Sequence, residues 1–142
     1  MKVSKISIFA DGGARGNPGP SAIGFYIEGS SGEEIISIGK KIGIATNNVA
    51  EYTAILEALD WICQNKEKIE NNAKLDFYLD SQLASSQLSG LYKVKNSKLR
   101  ELIFSIRQKE AELGIDVSYN HIPREKNEKA DKLVNLALDN LL

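Results

Sequence analysis

Four acidic side chains stand at positions where carboxylates could act together on a ligand. The first strand that the sequence predicts ends at Asp11, and the fourth ends at Asp80. If these strands are parallel neighbours, both carboxylates lie at the carboxyl edge of one sheet, where α/β proteins build their sites. At about 100° per residue, Glu51 and Asp131 fall on or beside the apolar faces of two predicted helices. We therefore expect all four carboxylates to converge on one edge of the sheet.

Carboxylates that converge in this way repel one another and cannot all stay ionised unaided. Divalent cations resolve this conflict, and a cluster of oxygen ligands suits Mg²⁺ or Mn²⁺. Two such ions, about 3.5–4 Å apart, would favour phosphoryl displacement because they bind both the attacking and the leaving oxygen. Each residue also has a structural explanation: Glu51 as a capping-box glutamate, Asp131 as an anion in a first helical turn, and the other two as turn residues.

The composition excludes several other classes of site. The 142 residues contain one cysteine, Cys63, and one histidine, His121, so an internal disulfide and a Cys/His zinc cage are both excluded. The formal net charge is −1, so a nucleic-acid partner would bind a local patch rather than a globally basic surface. No signal-peptide core and no apolar stretch of about 18 residues is present. We expect a single domain over residues 1–142, in a monomeric, cytoplasmic protein with no membrane partner.

Hydrophobic periodicity predicts the elements that carry these residues. The first strand ends at Asp11 and is followed by a turn-rich loop to Pro20. Further strands are predicted over residues 22–28, 33–43, 75–79 and 115–119. The first helix begins near Asn48, with Asn47 or Asn48 as its N-cap. The other helices are predicted over residues 81–87, over Ser97–Leu113 with Gly114 at C′, and from about Asn127.

The order of these elements is βββ-α-β-αα-β-α, which defines the fold class. Three strands joined by short loops indicate an antiparallel meander. Helices between the first, fourth and fifth strands require parallel pairing with right-handed crossovers. We therefore predict an α/β fold with a five-stranded mixed sheet, in which three antiparallel strands are followed by parallel strands four and five, flanked by helices.

Four sequence blocks resemble, in order and at ordinary spacings, those of type 1 ribonuclease H. They are DGGARGNPGPSAIGFYI, TNNVAEYTAILEAL, FYLDSQL and HIPREKNEKADKLVNLAL. The resemblance implies a ribonuclease H-like fold and a metal-dependent endoribonuclease that hydrolyses the RNA strand of an RNA/DNA hybrid duplex, leaving 5′-phosphate and 3′-hydroxyl ends. It also implies a metal site for two Mg²⁺ ions, with Mn²⁺ as an alternative. The implied ligands are Asp11, Glu51, Asp80 and Asp131.

The same resemblance implies contacts with the substrate. The glycine-rich loop after Asp11 matches a region that lies along the minor groove and senses ribose 2′-hydroxyls, although a tight connector would have the same composition. Asn17 and Thr46 match residues that bind a phosphate of the DNA strand. Asn47 and Asn48 match residues that contact base edges, and Asn48 as a plain N-cap is the rival interpretation. The implied substrate-binding residues are Gly12, Gly13, Arg15, Asn17, Thr46, Asn47 and Asn48.

His121 aligns with a loop histidine of the family that is proposed to shuttle a proton or to help product leave. We therefore include it among the catalytic candidates. Ile122, Pro123 and Arg124 replace the usual glycine-rich loop here, and Pro123 should stiffen the segment. A structural histidine at the end of a strand is the alternative.

The sequence matches the compact form of the family, because residues 88–96 are too few for the long basic handle that some members carry. Lys93, Lys95 and Lys98 could form a reduced phosphate-binding patch or a solvated helix face.

Two other functions remain open from the sequence. A hybrid-binding module without catalysis would not need all four carboxylates, so the full set argues against it. A DNA strand-transfer or junction-cleaving enzyme on the same fold would share the acidic cluster. The GNPGP loop and the TNN-x-x-E block favour ribonuclease H, whereas loss of discrimination between ribose and deoxyribose strands would favour the junction enzyme.

Overall fold

The described residues form a five-stranded mixed sheet, which confirms the predicted fold class. The computed structural model describes residues 3–90 and 93–142. The strands are β1 (Val3–Ala14), β2 (Gly19–Gly29), β3 (Glu34–Ala45), β4 (Ile69–Leu79) and β5 (Asp116–His121). Across the sheet the order is β3-β2-β1-β4-β5. The pairs β1–β2 and β2–β3 are antiparallel, whereas β1–β4 and β4–β5 are parallel.

Helices cover both faces of this sheet. They are α1 (Asn47–Gln64), α2 (Gln82–Leu88), α3 (Ser97–Leu113) and α4 (Glu128–Leu138), with 3₁₀ turns at Lys66–Lys68 and Arg124–Lys126. Consecutive strand residues point to opposite faces. Ile23 lies in the large core under α1 and α3, whereas Ala22 packs against Val134 and Ala137 of α4. None of the helices described here is long and apolar enough to cross a membrane.

Two glycines let α4 lie directly on the backbone of the sheet. Gly24 and Gly39 are cross-strand partners in β2 and β3. A Cβ on Gly24 would lie 2.5 Å from the carbonyl oxygen of Ala130, and one on Gly39 would lie 2.6 Å from that of Leu133. No side chain fits at such distances, so α4 can pack this closely on the sheet only because both positions are glycine. Gly24 is also the cross-strand partner of Asp11, so α4 is held beside that carboxylate.

The loop predicted from Asp11 to Pro20 is shorter in the structure. β1 continues to Ala14 and β2 already begins at Gly19, because Gly13 pairs with Ala22 and Ala14 with Ser21. Its glycines are typical of turns, but antiparallel pairing with β2 keeps them in the strand.

The predicted N-cap of the first helix is wrong. Thr46 caps α1, and its side-chain oxygen accepts a hydrogen bond from the Val49 amide at 3.2 Å. Asn47 and Asn48 are therefore the first helical residues, and Glu51 lies two positions beyond the site of a capping-box glutamate, which is residue 49. A local capping role does not explain Glu51.

The boundaries of α3 agree with the prediction. The helix covers Ser97–Leu113, Asn96 accepts a hydrogen bond from the Leu99 amide, and Gly114 adopts the left-handed conformation with φ 65°. Both ends carry strong local signals, which is why periodicity and capping sufficed. In the short connection before α3, Leu91 and Tyr92 lie outside the described residues.

Candidate active site

Asp11 and Asp80 lie side by side at the carboxyl edge of the sheet. β1 and β4 run parallel, and the register pairs Ala10 with Leu79. The next residue on each strand is an aspartate, and both aspartates are half-buried. The sequence predicted this placement from the two strand ends alone.

Asp11 is surrounded by the other three carboxylates. The pKa of Asp11 is raised to about 8, by burial first and then by the nearby charges of Asp80, Asp131 and Glu51, in that order of effect. A hydrogen bond of 2.9 Å from the Gly12 amide to Asp11 Oδ1 acts in the opposite direction. The structure thus brings the four predicted carboxylates within electrostatic reach of one another.

Glu51 is directed to this edge by close packing of β1 against α1. A Cβ on Gly12 would lie 2.2 Å from the carbonyl carbon of Ala50 and 2.5 Å from the amide nitrogen of Glu51. Gly12 is accordingly buried, so its α-carbon faces α1. Burial raises the pKa of Glu51 to about 7, although the Ser81 hydroxyl and the Arg124 guanidinium both act to lower it.

Asp131 enters the cluster from the first turn of α4. Its backbone amide donates to the carbonyl oxygen of Asn127 at 3.1 Å. The Asn135 side chain, one turn later, donates to the Asp131 carbonyl at 3.1 Å and approaches Oδ2 at 3.4 Å. The Gly24–Gly39 contact under α4 sets the height of this turn above the sheet.

Two residues at this edge were missed as functional candidates. Asn127 was predicted only as the start of the last helix, and its amide approaches Asp80 Oδ2 at 3.4 Å. Arg124 was noted only as a departure from a glycine-rich loop, yet its charge acts on Glu51. The available signal for Asn127 was its place in the block HIPREKNEKADKLVNLAL, four residues before Asp131. The position of Arg124 depends on the turn at Arg124–Lys126.

The donor set fits an oxygen-preferring divalent cation. Asp11, Glu51, Asp80 and Asp131 supply only carboxylate oxygens, which Mg²⁺ and Mn²⁺ favour. A cation would also relieve the repulsion that raises the pKa of Asp11. Among residues 3–90 and 93–142, no three Asp, Glu, His or Cys side chains already form a ready-made ligand group. We therefore expect carboxylate torsions to adjust when metal binds.

Asn17 and Asn47 are linked by hydrogen bonds to each other and to the end of β1, and Thr46, just before Asn47, caps α1. Asn47 Oδ1 accepts from the Ala14 amide at 2.8 Å, and Asn17 Oδ1 accepts from the Asn47 amide at 2.9 Å. These bonds use the side-chain oxygens. In the described part of the chain, the two NH₂ groups have no intramolecular acceptor, so donors remain for a ligand.

The other predicted substrate residues have varied surroundings. Asn48 is exposed in the first turn of α1, and Gly13 is half-buried in β1. Arg15 is exposed and forms an ion pair of 2.6 Å with Asp139 at the end of α4. Exposed ion pairs of this kind contribute little to stability, so Arg15 can exchange Asp139 for another anion at small cost.

His121 and the predicted lysine patch lie on the surface. His121 is exposed at the end of β5, in register with Leu79. The groups that shift the pKa values of Asp11 and Glu51 include Arg124 but not His121. Lys93, Lys95 and Lys98 are all exposed, and Lys98 approaches Glu101 at 4.0 Å.

Comparison with known proteins shows similarity over most of this chain. The family described as reverse transcriptase-like matches residues 9–137. The crystal structure of LC11-RNase H1 in complex with RNA/DNA hybrid superimposes with a TM-score of 0.90 at 40% identity, over 95% of this chain and 97% of that one.

Longer curated proteins contain a similar segment. Ribonuclease HI of Halobacterium salinarum is 38% identical over 137 residues, which cover 95% of this chain and 65% of that protein. A bifunctional protein of Mycobacterium tuberculosis is 35% identical over 137 residues, covering 95% of this chain and 36% of that protein. The chain therefore spans less than two thirds of either relative.

Proposed function

Since the chain belongs to the type 1 ribonuclease H family, we propose that it is a metal-dependent endoribonuclease that hydrolyses the RNA strand of RNA/DNA hybrids. The observation that carries this proposal is the convergence of Asp11, Glu51, Asp80 and Asp131 from four different elements on one sheet edge. Such a costly concentration of like charge is typical of a site that binds cations. LC11-RNase H1, which is 40% identical, has been crystallised with an RNA/DNA hybrid, and this supports the same substrate class.

The four carboxylates are the proposed ligands of two divalent ions. When bound, Mg²⁺ or Mn²⁺ would supply Lewis-acid stabilisation of the charge that develops on the phosphate oxygens and would favour hydrolysis to 5′-phosphate and 3′-hydroxyl ends. The chain itself supports this arrangement through neutral donors. The Gly12 amide orients Asp11, and the Ser81 hydroxyl acts on Glu51.

Positive charge and free donors beside the carboxylates support binding of a nucleic acid. Arg124 brings a guanidinium close to Glu51, and guanidinium groups suit phosphate recognition. Asn17 and Asn47, which are bonded to each other and to the end of β1 that follows Asp11, retain side-chain NH₂ donors. We propose that these donors bind the DNA strand while the RNA strand lies over the carboxylates.

The proposal is tested with end-labelled duplexes. Wild-type protein is incubated with an RNA/DNA hybrid in Mg²⁺, in Mn²⁺ and in excess chelator, beside single-stranded RNA, duplex RNA, duplex DNA and a DNA junction. We expect metal-dependent cleavage of the hybrid RNA strand, with end analysis showing 5′-phosphates. Binding of the hybrid without cleavage would identify a binding module instead, and cleavage of the junction without discrimination against DNA would identify the alternative nuclease.

A further inference from the structure

Asn127 is a buried polar residue at the centre of the carboxylate edge. Only 1% of its surface is exposed. Its side-chain Nδ2 donates to the carbonyl oxygen of Ala10 at 3.0 Å and approaches Asp80 Oδ2 at 3.4 Å. One amide group thus joins the ends of the two parallel strands, β1 and β4, where Asp11 and Asp80 follow.

The side chain of Asn127 does not perform the function that its position favours. Asn127 is the N-cap residue of α4, and an N-cap asparagine normally accepts a hydrogen bond from a backbone amide of the first turn. Here no side-chain capping bond forms. In the described structure, Asn127 Oδ1 is buried without a hydrogen-bond partner. Both features cost stability, which indicates that the orientation of the amide serves another purpose.

Asn127 connects three of the four carboxylates. Its Nδ2 contacts Asp80 directly, and its bond to Ala10 fixes the residue that precedes Asp11. Its backbone carbonyl oxygen accepts a hydrogen bond from the backbone amide of Asp131 at 3.1 Å. An amide NH₂ suits this place because it donates two hydrogen bonds without adding a fifth negative charge.

We propose that Asn127 is a positioning residue, which holds Asp80 and the two strand ends in the arrangement that divalent cations require. This inference rests on the proposed function of the four carboxylates. Groups that orient metal ligands in this way typically change metal affinity or activity by about 10–100-fold when removed. The amide, rather than the volume of the side chain, is the feature that matters.

The test compares two variants with a matched control. Asn127→Ala removes the amide, and Asn127→Leu removes it while retaining most of the side-chain volume, so that a cavity is not the cause of any shared effect. Asn120 is the control, because its Nδ2 also donates to a backbone carbonyl of β4, that of Phe77 at 3.1 Å, and to Ser118 Oγ at 3.1 Å. Asn120→Ala therefore removes a comparable amide from the same sheet away from the carboxylates.

Three quantities are measured on proteins whose folding is checked by thermal unfolding: Mn²⁺ affinity by calorimetry, kcat and KM for the hybrid. We expect both Asn127 variants to bind Mn²⁺ about 10–100-fold more weakly, with kcat reduced and KM changed less than about twofold. Excess Mn²⁺ should restore part of the lost rate. Asn120→Ala should match wild type in all three quantities.

One result would overturn the proposal and leave Asn127 a packing residue. It is a folded Asn127→Leu protein whose Mn²⁺ affinity and kcat stay within about twofold of wild type. If neither variant folds, Asn127→Gln replaces them, because it keeps the amide and displaces it by one methylene. Mn²⁺ affinity and kcat within about twofold of wild type in that protein would then overturn the proposal. A wild-type protein that binds Mn²⁺ but does not cleave the hybrid would contradict the proposed function while leaving the calorimetric comparison valid.

Discussion

Gly12 lies against the backbone of Ala50, so closely that a Cβ at position 12 would come within 2.2 Å of the Ala50 carbonyl carbon. This contact joins β1 to the first turns of α1, directly between Asp11 and Glu51. The two carboxylates come from elements far apart in sequence, and the missing side chain of Gly12 is what lets those elements meet. The site therefore depends on this glycine although its backbone amide makes only one bond to Asp11, at 2.9 Å.

We predict that Gly12→Ala separates Asp11 from Glu51. The overlap is with backbone, which cannot rotate away, so the loss of unfolding free energy should reach or exceed roughly 3 kcal/mol, the upper end for overpacking. Displacement of a carboxylate by about 1 Å should reduce kcat by about 100-fold. Gly13→Ala is the control, because its Cβ would lie at an ordinary 3.7 Å from Val134 Cγ1. Equal stabilities of the two variants in urea unfolding would contradict this account.

Replacing Asp11 or Asp80 with Asn should abolish cleavage without unfolding the protein. Each change removes a metal ligand, and we expect a loss of at least about 10³-fold in kcat/KM, since bound ions supply several kcal/mol. Each change also removes one charge from a repelling cluster, so stability in chelator should hold or rise. Asp76→Asn is the control, because Asp76 lies on β4 but accepts from Ser118 at 2.7 Å, away from the cluster. Near-normal hybrid cleavage by Asp11→Asn would remove this residue from the metal site.

The stability of the metal-free protein should fall as the pH rises from about 4 to about 8. Burial raises the pKa of Asp11 to about 8 and that of Glu51 to about 7. In this range the folded protein therefore binds more protons than the unfolded chain, so the unfolding free energy decreases with increasing pH. Urea unfolding in chelator between pH 5 and pH 9 measures this slope. Asp11→Asn should flatten it, and an unchanged slope in that variant would show that other groups titrate.

The sequence predicts this fold best where both ends of an element carry local signals. For α3, helical spacing over Ser97–Leu113 and the glycine at position 114 predicted both boundaries, and the structure adds Asn96 as the N-cap. Asp11 and Asp80 were placed correctly because strand ends of a parallel pair meet at one edge. No pattern marked the extension of β1 through Gly12 and Gly13, because it depends on pairing with β2 and on packing against α1.

The parts of the site that escaped prediction depend on tertiary contacts. Asn47 looked like an N-cap, but its side-chain oxygen bonds to the Ala14 amide and Thr46 caps the helix instead. Asn127 looked like an ordinary helix start, and only the structure shows its amide between Ala10 and Asp80. In both cases a residue suited to capping is used by a partner that is distant in sequence.

We predict that changing Lys93, Lys95 and Lys98 together to Glu raises KM more than it lowers kcat. All three side chains are exposed and lie outside the carboxylate cluster, so they can bind phosphates of the duplex without contacting the metal ligands. The salt dependence of KM should also become shallower. The control changes Lys66, Lys68 and Lys74 to Glu, since these exposed lysines lie in the 3₁₀ turn before β4 and within β4, away from the end of β4 that Asp80 follows. If the two triple variants have the same KM and the same salt dependence, Lys93, Lys95 and Lys98 belong to a solvated surface and do not bind phosphates.

Arg124, rather than His121, is the side-chain cation that we expect to assist the carboxylates. Arg124 is close enough to Glu51 to lower its pKa, whereas His121, which is exposed like Arg124, is not among the groups that shift the pKa of Glu51. Arg124→Ala should therefore reduce kcat by about 10–100-fold, with part of the rate recovered in Arg124→Lys. Lys126→Ala, an exposed change in the same turn, is the control and should match wild type.

His121→Ala should slow turnover by well under the ~10²-fold that is typical of a positioned proton-transfer group. The pH profile of kcat separates the two residues, because a guanidinium stays charged throughout the accessible range, whereas an imidazole can exchange a proton within it. If Arg124 supplies the assisting charge, His121→Ala retains the wild-type profile. A limb of the wild-type profile that is absent from His121→Ala would instead assign the proton transfer to His121, and Arg124 would then serve only to balance the charge of Glu51.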